Sequence, residues 1–120
     1  MDNFILKNEN AIYYECNFSC DNVIFLNLGS EKFFFTDARY TIEAKEYAKN
    51  CEVIESANLI DSAKEILKKN SIKSITFDPN DFTFLEYKNL VKDLDIEFVE
   101  EINFSKTKRL FINSTVVHKV

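Results

Sequence analysis

The stretch VIFLNLGSEKFFFT, residues 23–36, decides the fold. Residues 23–28 and 32–36 are rich in β-branched and aromatic side chains, with Gly29-Ser30-Glu31 between them. Two β-rich runs joined by a short glycine-containing turn read as a hairpin. A strand with one wet face alternates apolar and polar residues, and Phe33-Phe34-Phe35 does not alternate. Both faces of that strand are therefore expected to be covered.

Just downstream the apolar period changes from two to 3.6. Thr41 can cap a helix that carries Glu43 in its first turn, with Tyr47 and Ala48 on one side and Asn50 as its stop. Residues 51–54 read as a short strand. Leu59, Ile60, Ala63, Ile66 and Leu67 then make one apolar helix face. Lys68 and Lys69 end that helix, where cations suit the dipole. Residues 74–77 are a further strand, and Asp78-Pro79-Asn80-Asp81 is a turn that also offers helix caps. Phe84, Tyr87, Val91 and Leu94 line a third helix, and residues 96–99 close as a strand. Upstream, residues 4–6 are a short strand, and the aromatic-rich run 11–16 reads as another. A strand meander followed by alternating helices and strands predicts an α/β domain, a mixed β-sheet with flanking helices in two or three layers.

The chain has 120 residues, about one domain, and 46% of them are hydrophobic, enough for a core. One glycine and one proline leave little room for an interdomain linker. Its longest apolar run is far short of a membrane span, and its acidic start is unlike a secretion signal, so a cytoplasmic protein is expected. A net charge of −5 disfavours nucleic acid as a partner. Cys16, Cys20 and Cys51 have no zinc or redox spacing and read as reduced, structural thiols.

Nucleophilic catalysis usually needs a histidine base, and the single His118 lies close to the C-terminus. Phosphate-cradling loops need several glycines, and Gly29 stands alone. Carboxylates remain. Asp37, Glu43 and Asp78 could in principle hold a divalent metal, with Asp37 and Asp78 each following a strand. The plainer reading is a salt bridge for Asp37 and a helix cap for Asp78. Arginine occurs only at Arg39 and Arg109, where its planar fork invites a bidentate carboxylate partner.

The segment Phe35-Thr36-Asp37-Ala38-Arg39-Tyr40 is the most specific in the chain. It is similar to the TD-x-RY signature of the creatinase/prolidase N-terminal domain, with Asp37, Arg39 and Tyr40 at the signature positions. Asn10-Ala11-Ile12-Tyr13-Tyr14 resembles that family's N-I-x-Y-L strand, although Glu15-Cys16-Asn17-Phe18 departs from its Thr-Gly-Phe. Lys108-Arg109-Leu110 resembles the basic region where the family's two domains join. The resemblance implies a ribonuclease H-like domain over residues 1–110, with 111–120 a tail or a truncated junction. It implies no catalytic or metal-binding residue in this chain. The family's catalytic domain would supply two Asp, one His and two Glu to hold divalent metal, manganese or zinc. The implied role is assembly of a homo-oligomeric Xaa-Pro aminopeptidase or dipeptidase and shaping of its active-site access, with the catalytic domain or a neighbouring subunit as partner. Two other expectations stand beside it: a stand-alone module that dimerises through its Phe-rich strands, and a carboxylate metal nuclease.

Overall fold

The hairpin lies inside the sheet. β2 (Val23–Leu28) pairs antiparallel with β3 (Glu31–Thr36), Val23 opposite Thr36 and Leu28 opposite Glu31. Gly29 begins the two-residue turn at φ 62°, a conformation that side-chain-bearing residues adopt at a cost. All of β2 and residues 33–36 of β3 are buried. The computed structural model describes residues 3–107. Outside the hairpin, β1 (Phe4–Leu6) pairs antiparallel with β2, and β4 (Glu52–Glu55) pairs parallel with β3. β5 (Ser74–Phe77) lies parallel to β1, and β6 (Glu97–Glu100) parallel to β5. The order is β4-β3-β2-β1-β5-β6, so β2 alone runs against the other five.

Among the described residues the sheet is flanked by the helices α1 (Glu9–Cys16), α2 (Thr41–Tyr47), α3 (Leu59–Lys69) and α4 (Phe84–Val91). Successive strand residues point to opposite faces, and the two resulting cores are distinct. Ile24, Leu26, Phe33, Phe35, Ile75 and Phe77 meet Ala63 and Leu67 of α3 and Leu90 of α4. Phe4, Leu6, Val23, Phe25 and Phe34 meet Ala11, Ile12 and Cys16 of α1 and Ala44 of α2. The domain is thus three layers, with the mixed sheet in the middle.

Three expectations are corrected. The run 11–16 is helical, within α1. The Asn8 side chain accepts the Ala11 N–H at 2.9 Å, and Asn17, at φ 62°, closes the helix by donating its N–H to the Tyr13 carbonyl at 2.7 Å. Ala11, Ile12 and Cys16 share the buried side while Tyr13 and Tyr14 face out. The local caps outweigh the β-propensity of the tyrosines. Thr41 lies within α2, and Tyr40 holds the cap position. The helix stops at Tyr47, and Asn50, at φ 60°, turns the loop into β4. In α4 the buried side is centred on Leu90, with Tyr87 packed beside it, while Phe84 is 77% exposed. A capping box places that start: Thr83 accepts the Glu86 N–H at 3.1 Å, and Glu86 accepts the Thr83 N–H at 2.8 Å.

This rotation of α4 has a direct consequence. Leu90→Ala is expected to destabilise by about 2–5 kcal/mol, the range for a buried leucine. Phe84→Ala should stay within about 0.5 kcal/mol of the parent. Urea denaturation of the two variants checks this, and a larger loss at Phe84 would contradict the packing described.

Candidate functional site

The end of β3 builds the most heavily bonded polar corner of the domain. Thr36 is fully buried; its hydroxyl donates to the Asn22 carbonyl at 2.7 Å and lies 3.3 Å from Cys20 Sγ. Its carbonyl accepts the Ser56 N–H at 2.8 Å, so the corner grips the chain on both sides of β3.

Asp37 follows. One of its carboxylate oxygens accepts the Arg39 backbone N–H at 2.9 Å and Arg39 Nε at 3.1 Å. The other accepts Arg39 Nη2 at 2.9 Å and Asn22 Nδ2 at 2.5 Å. The arginine fork therefore engages Asp37 in two side-by-side bonds, a geometry that lysine cannot reproduce. Arg39 also lies over the Tyr40 ring, 4.9 Å from its centroid, with Asp21 3.8 Å from its Nη2. The Asp37 carbonyl accepts the Tyr40 N–H at 3.1 Å and the Thr41 hydroxyl at 2.9 Å, which launches α2. Arg39, and then Asn22, hold the Asp37 carboxyl well below the usual carboxylate range. Asp37 in turn holds the Arg39 proton more tightly than usual. A hydrogen bond with Asp21 raises the Tyr40 hydroxyl. With four donors on it, the Asp37 carboxylate acts as a brace and is poorly placed to serve as a base.

Asp78 plays a parallel part at the end of β5. It is buried and accepts the Asn80 N–H at 2.9 Å and the Ser105 N–H at 3.2 Å. Asp81 accepts the Ser105 hydroxyl at 2.6 Å, and burial raises its carboxyl. These bonds fasten the outgoing chain, which begins a helical turn at residue 104, to the sheet. The expected junction residues Lys108 and Arg109, and His118, lie outside the described residues.

The three carboxylates proposed for a metal do not converge. β2 and β1 separate β3 from β5, so Asp37 and Asp78 are three strand spacings apart, about 14 Å. Glu43 is exposed on α2. Among the described residues, no group of three or more His, Cys, Asp or Glu could hold a metal ion. Sequence reasoning missed Asn22, Asp21 and Ser105, because each meets its partner across a long stretch of chain. A groove of about 330 Å³ lies beyond the carboxyl ends of β5 and β6, lined by Phe77, Pro79, Phe82, Phe84, Tyr87 and Glu100.

A three-layer sheet domain whose third strand turns into a helix through a braced Thr36–Tyr40 corner defines a class. Residues 1–110 match the creatinase/prolidase N-terminal domain, and the chain belongs to that family. It is similar to an uncharacterized peptidase of Bacillus subtilis, YqhT, at 25% identity over 115 residues, 89% of this chain and 33% of that protein. The chain thus spans about a third of the curated relative it matches. Among solved structures it resembles the Xaa-Pro aminopeptidase of Streptococcus thermophilus (TM-score 0.79, 25% identity, 91% of this chain and 85% of that one). It also resembles the Xaa-Pro dipeptidase of Bacillus anthracis (TM-score 0.75, 27% identity, 85% of this chain and 29% of that one).

The Asp37 brace has a pH signature. Its folded carboxyl titrates below the usual 3.8, so it adds stability above that value and loses it as pH falls further. Asp37→Asn is expected to lower the urea midpoint at neutral pH, by a gap that narrows as pH falls below 3.8. A gap that stays constant through acid titration would remove the charge from the account.

Proposed function

We propose that this chain is the non-catalytic N-terminal domain of a metal-dependent Xaa-Pro peptidase, and that it serves oligomer assembly and shapes access to the parent's active site. The observation that carries the reading is one of extent. The match spans 89% of this chain but 33% of the Bacillus subtilis relative. Catalysis, and the divalent metal it requires, belong to the remaining two thirds of such a protein. Within the present domain, Asp37 and Asp78 spend their hydrogen-bonding capacity on chain corners. Among the described residues no helix is long and apolar enough to cross a membrane, and the sequence expectation of a cytoplasmic protein is kept as part of the proposal.

Assembly needs a surface, and the Phe-rich strand cannot provide it. β3 lies between β2 and β4 with its phenylalanines buried. The two edge strands, Glu52–Glu55 and Glu97–Glu100, begin and end in glutamate, a pattern that opposes edge-to-edge pairing. The exposed apolar side chains Phe84 and Leu85, at the start of α4, are the material for contact with a second copy or the catalytic domain.

Two measurements on the purified chain test this reading. Xaa-Pro peptides with manganese or zinc added should show no turnover above a metal-free blank; clear turnover would end the non-catalytic assignment. Sedimentation velocity should show a concentration-dependent oligomer that Phe84→Glu/Leu85→Glu abolishes without lowering thermal stability. A parent chain that stays monomeric throughout would contradict assembly by this domain alone.

A further inference from the structure

The last turn of α1 meets the start of β4. The Lys49 N–H donates to the Cys16 carbonyl at 2.8 Å, and Cys51 follows two residues later. Glu52 is in register with Phe33, so Cys51 lies beside Lys32 at the start of β3. Cys51 and Val53 pack on the same side of the sheet as Phe34 and Cys16. Cys16 is buried, with its Sγ 3.4 Å from the Ile12 carbonyl oxygen and 3.3 Å from that of Phe18; Cys51 is half-buried. Both are free thiols, and their side chains are near enough to share a hydrogen bond. Lys32 completes the group, its Nζ 3.7 Å from Glu15. The Cys16 thiol, and then the Lys32 charge, hold the Cys51 thiol below its ordinary value despite burial. The same hydrogen bond, with burial, pushes Cys16 up. Cys20 is remote from this pair, at the far end of β3 against Thr36.

We propose that Cys51 is a thiol-oxidation site and that Cys16 resolves it into an intramolecular disulfide, with a low-molecular-weight disulfide as the oxidant. The Cys51 thiolate attacks one sulfur of the oxidant, whose S–S bond breaks and releases one small thiol. Cys16 then loses its proton and attacks Cys51 Sγ, expelling the second small thiol. Two protein thiols are oxidised and one disulfide is reduced to two thiols. The half-buried thiol with the stabilised thiolate is the one that an external disulfide can reach, and the buried thiol is the one already beside it. The new bond would fasten α1 to the edge strand β4, across the layer boundary.

Oxidised glutathione is added to the folded chain, remaining thiols are alkylated, and the products are read by intact mass and peptide mapping. A Cys16–Cys51 disulfide with Cys20 alkylated is expected. Cys16→Ser should stop at one glutathione on Cys51, Cys51→Ser should carry neither adduct nor disulfide, and Cys20→Ser should behave as the parent. A parent chain with all three cysteines alkylated after oxidant, or with a disulfide that includes Cys20, overturns the proposal. The parent's peptide map decides the matter even if a variant fails to fold.

Discussion

Burial of one hairpin on both faces governs this domain. Every residue of β2 and the last four of β3 are buried. Each buried phenylalanine or leucine side chain is worth about 1.5–3 kcal/mol relative to exposure. That gain is realised only if apolar helix faces cover both sides of the sheet, since the pleat sends alternate residues to opposite faces. Phe34 requires α1 and α2; Phe33 and Phe35 require α3. The alternation of helices about the sheet follows from this demand.

A hairpin sealed on both faces has no wet face on which to place a site. Its polar chemistry is driven to the strand ends, and there the domain uses it for construction. Asp37 turns the chain from β3 into α2, and Asp78 pins the outgoing segment beyond β6. The Asp37–Arg39 pair is solvent-exposed, where ion pairs add little by themselves. Its contribution is direction: four donors fix one carboxylate and so fix the angle at which α2 leaves the sheet.

Much of this was legible in the sequence, for identifiable reasons. The hairpin stood out because Gly29 separates two runs of strong strand formers, and Phe33-Phe34-Phe35 announced its burial. α3 was legible because Leu59, Ile60, Ala63, Ile66 and Leu67 form one apolar stripe that Lys68 and Lys69 close; its Asn58 cap was not read. The Thr36–Tyr40 signature was legible as a family mark. What escaped was set by local caps or distant partners. Asn8 and Asn17 make a helix of a tyrosine-rich run that pattern alone reads as a strand. The Thr83–Glu86 box rotates α4 so that Leu90, and not Phe84, enters the core. Asn22 and Ser105 reach Asp37 and Asp78 from 15 and 27 residues away, which no local pattern encodes.

Native-state hydrogen exchange tests the central claim, that the doubly covered hairpin is the last part of the domain to open. Amides of Ile24, Phe25, Leu26, Phe34 and Phe35 are predicted to exchange only through global unfolding, with a denaturant dependence equal to that of the whole molecule. Amides of the edge strands β4 and β6 should exchange by smaller openings. Hairpin amides that exchange as fast as those of the edges would contradict the account.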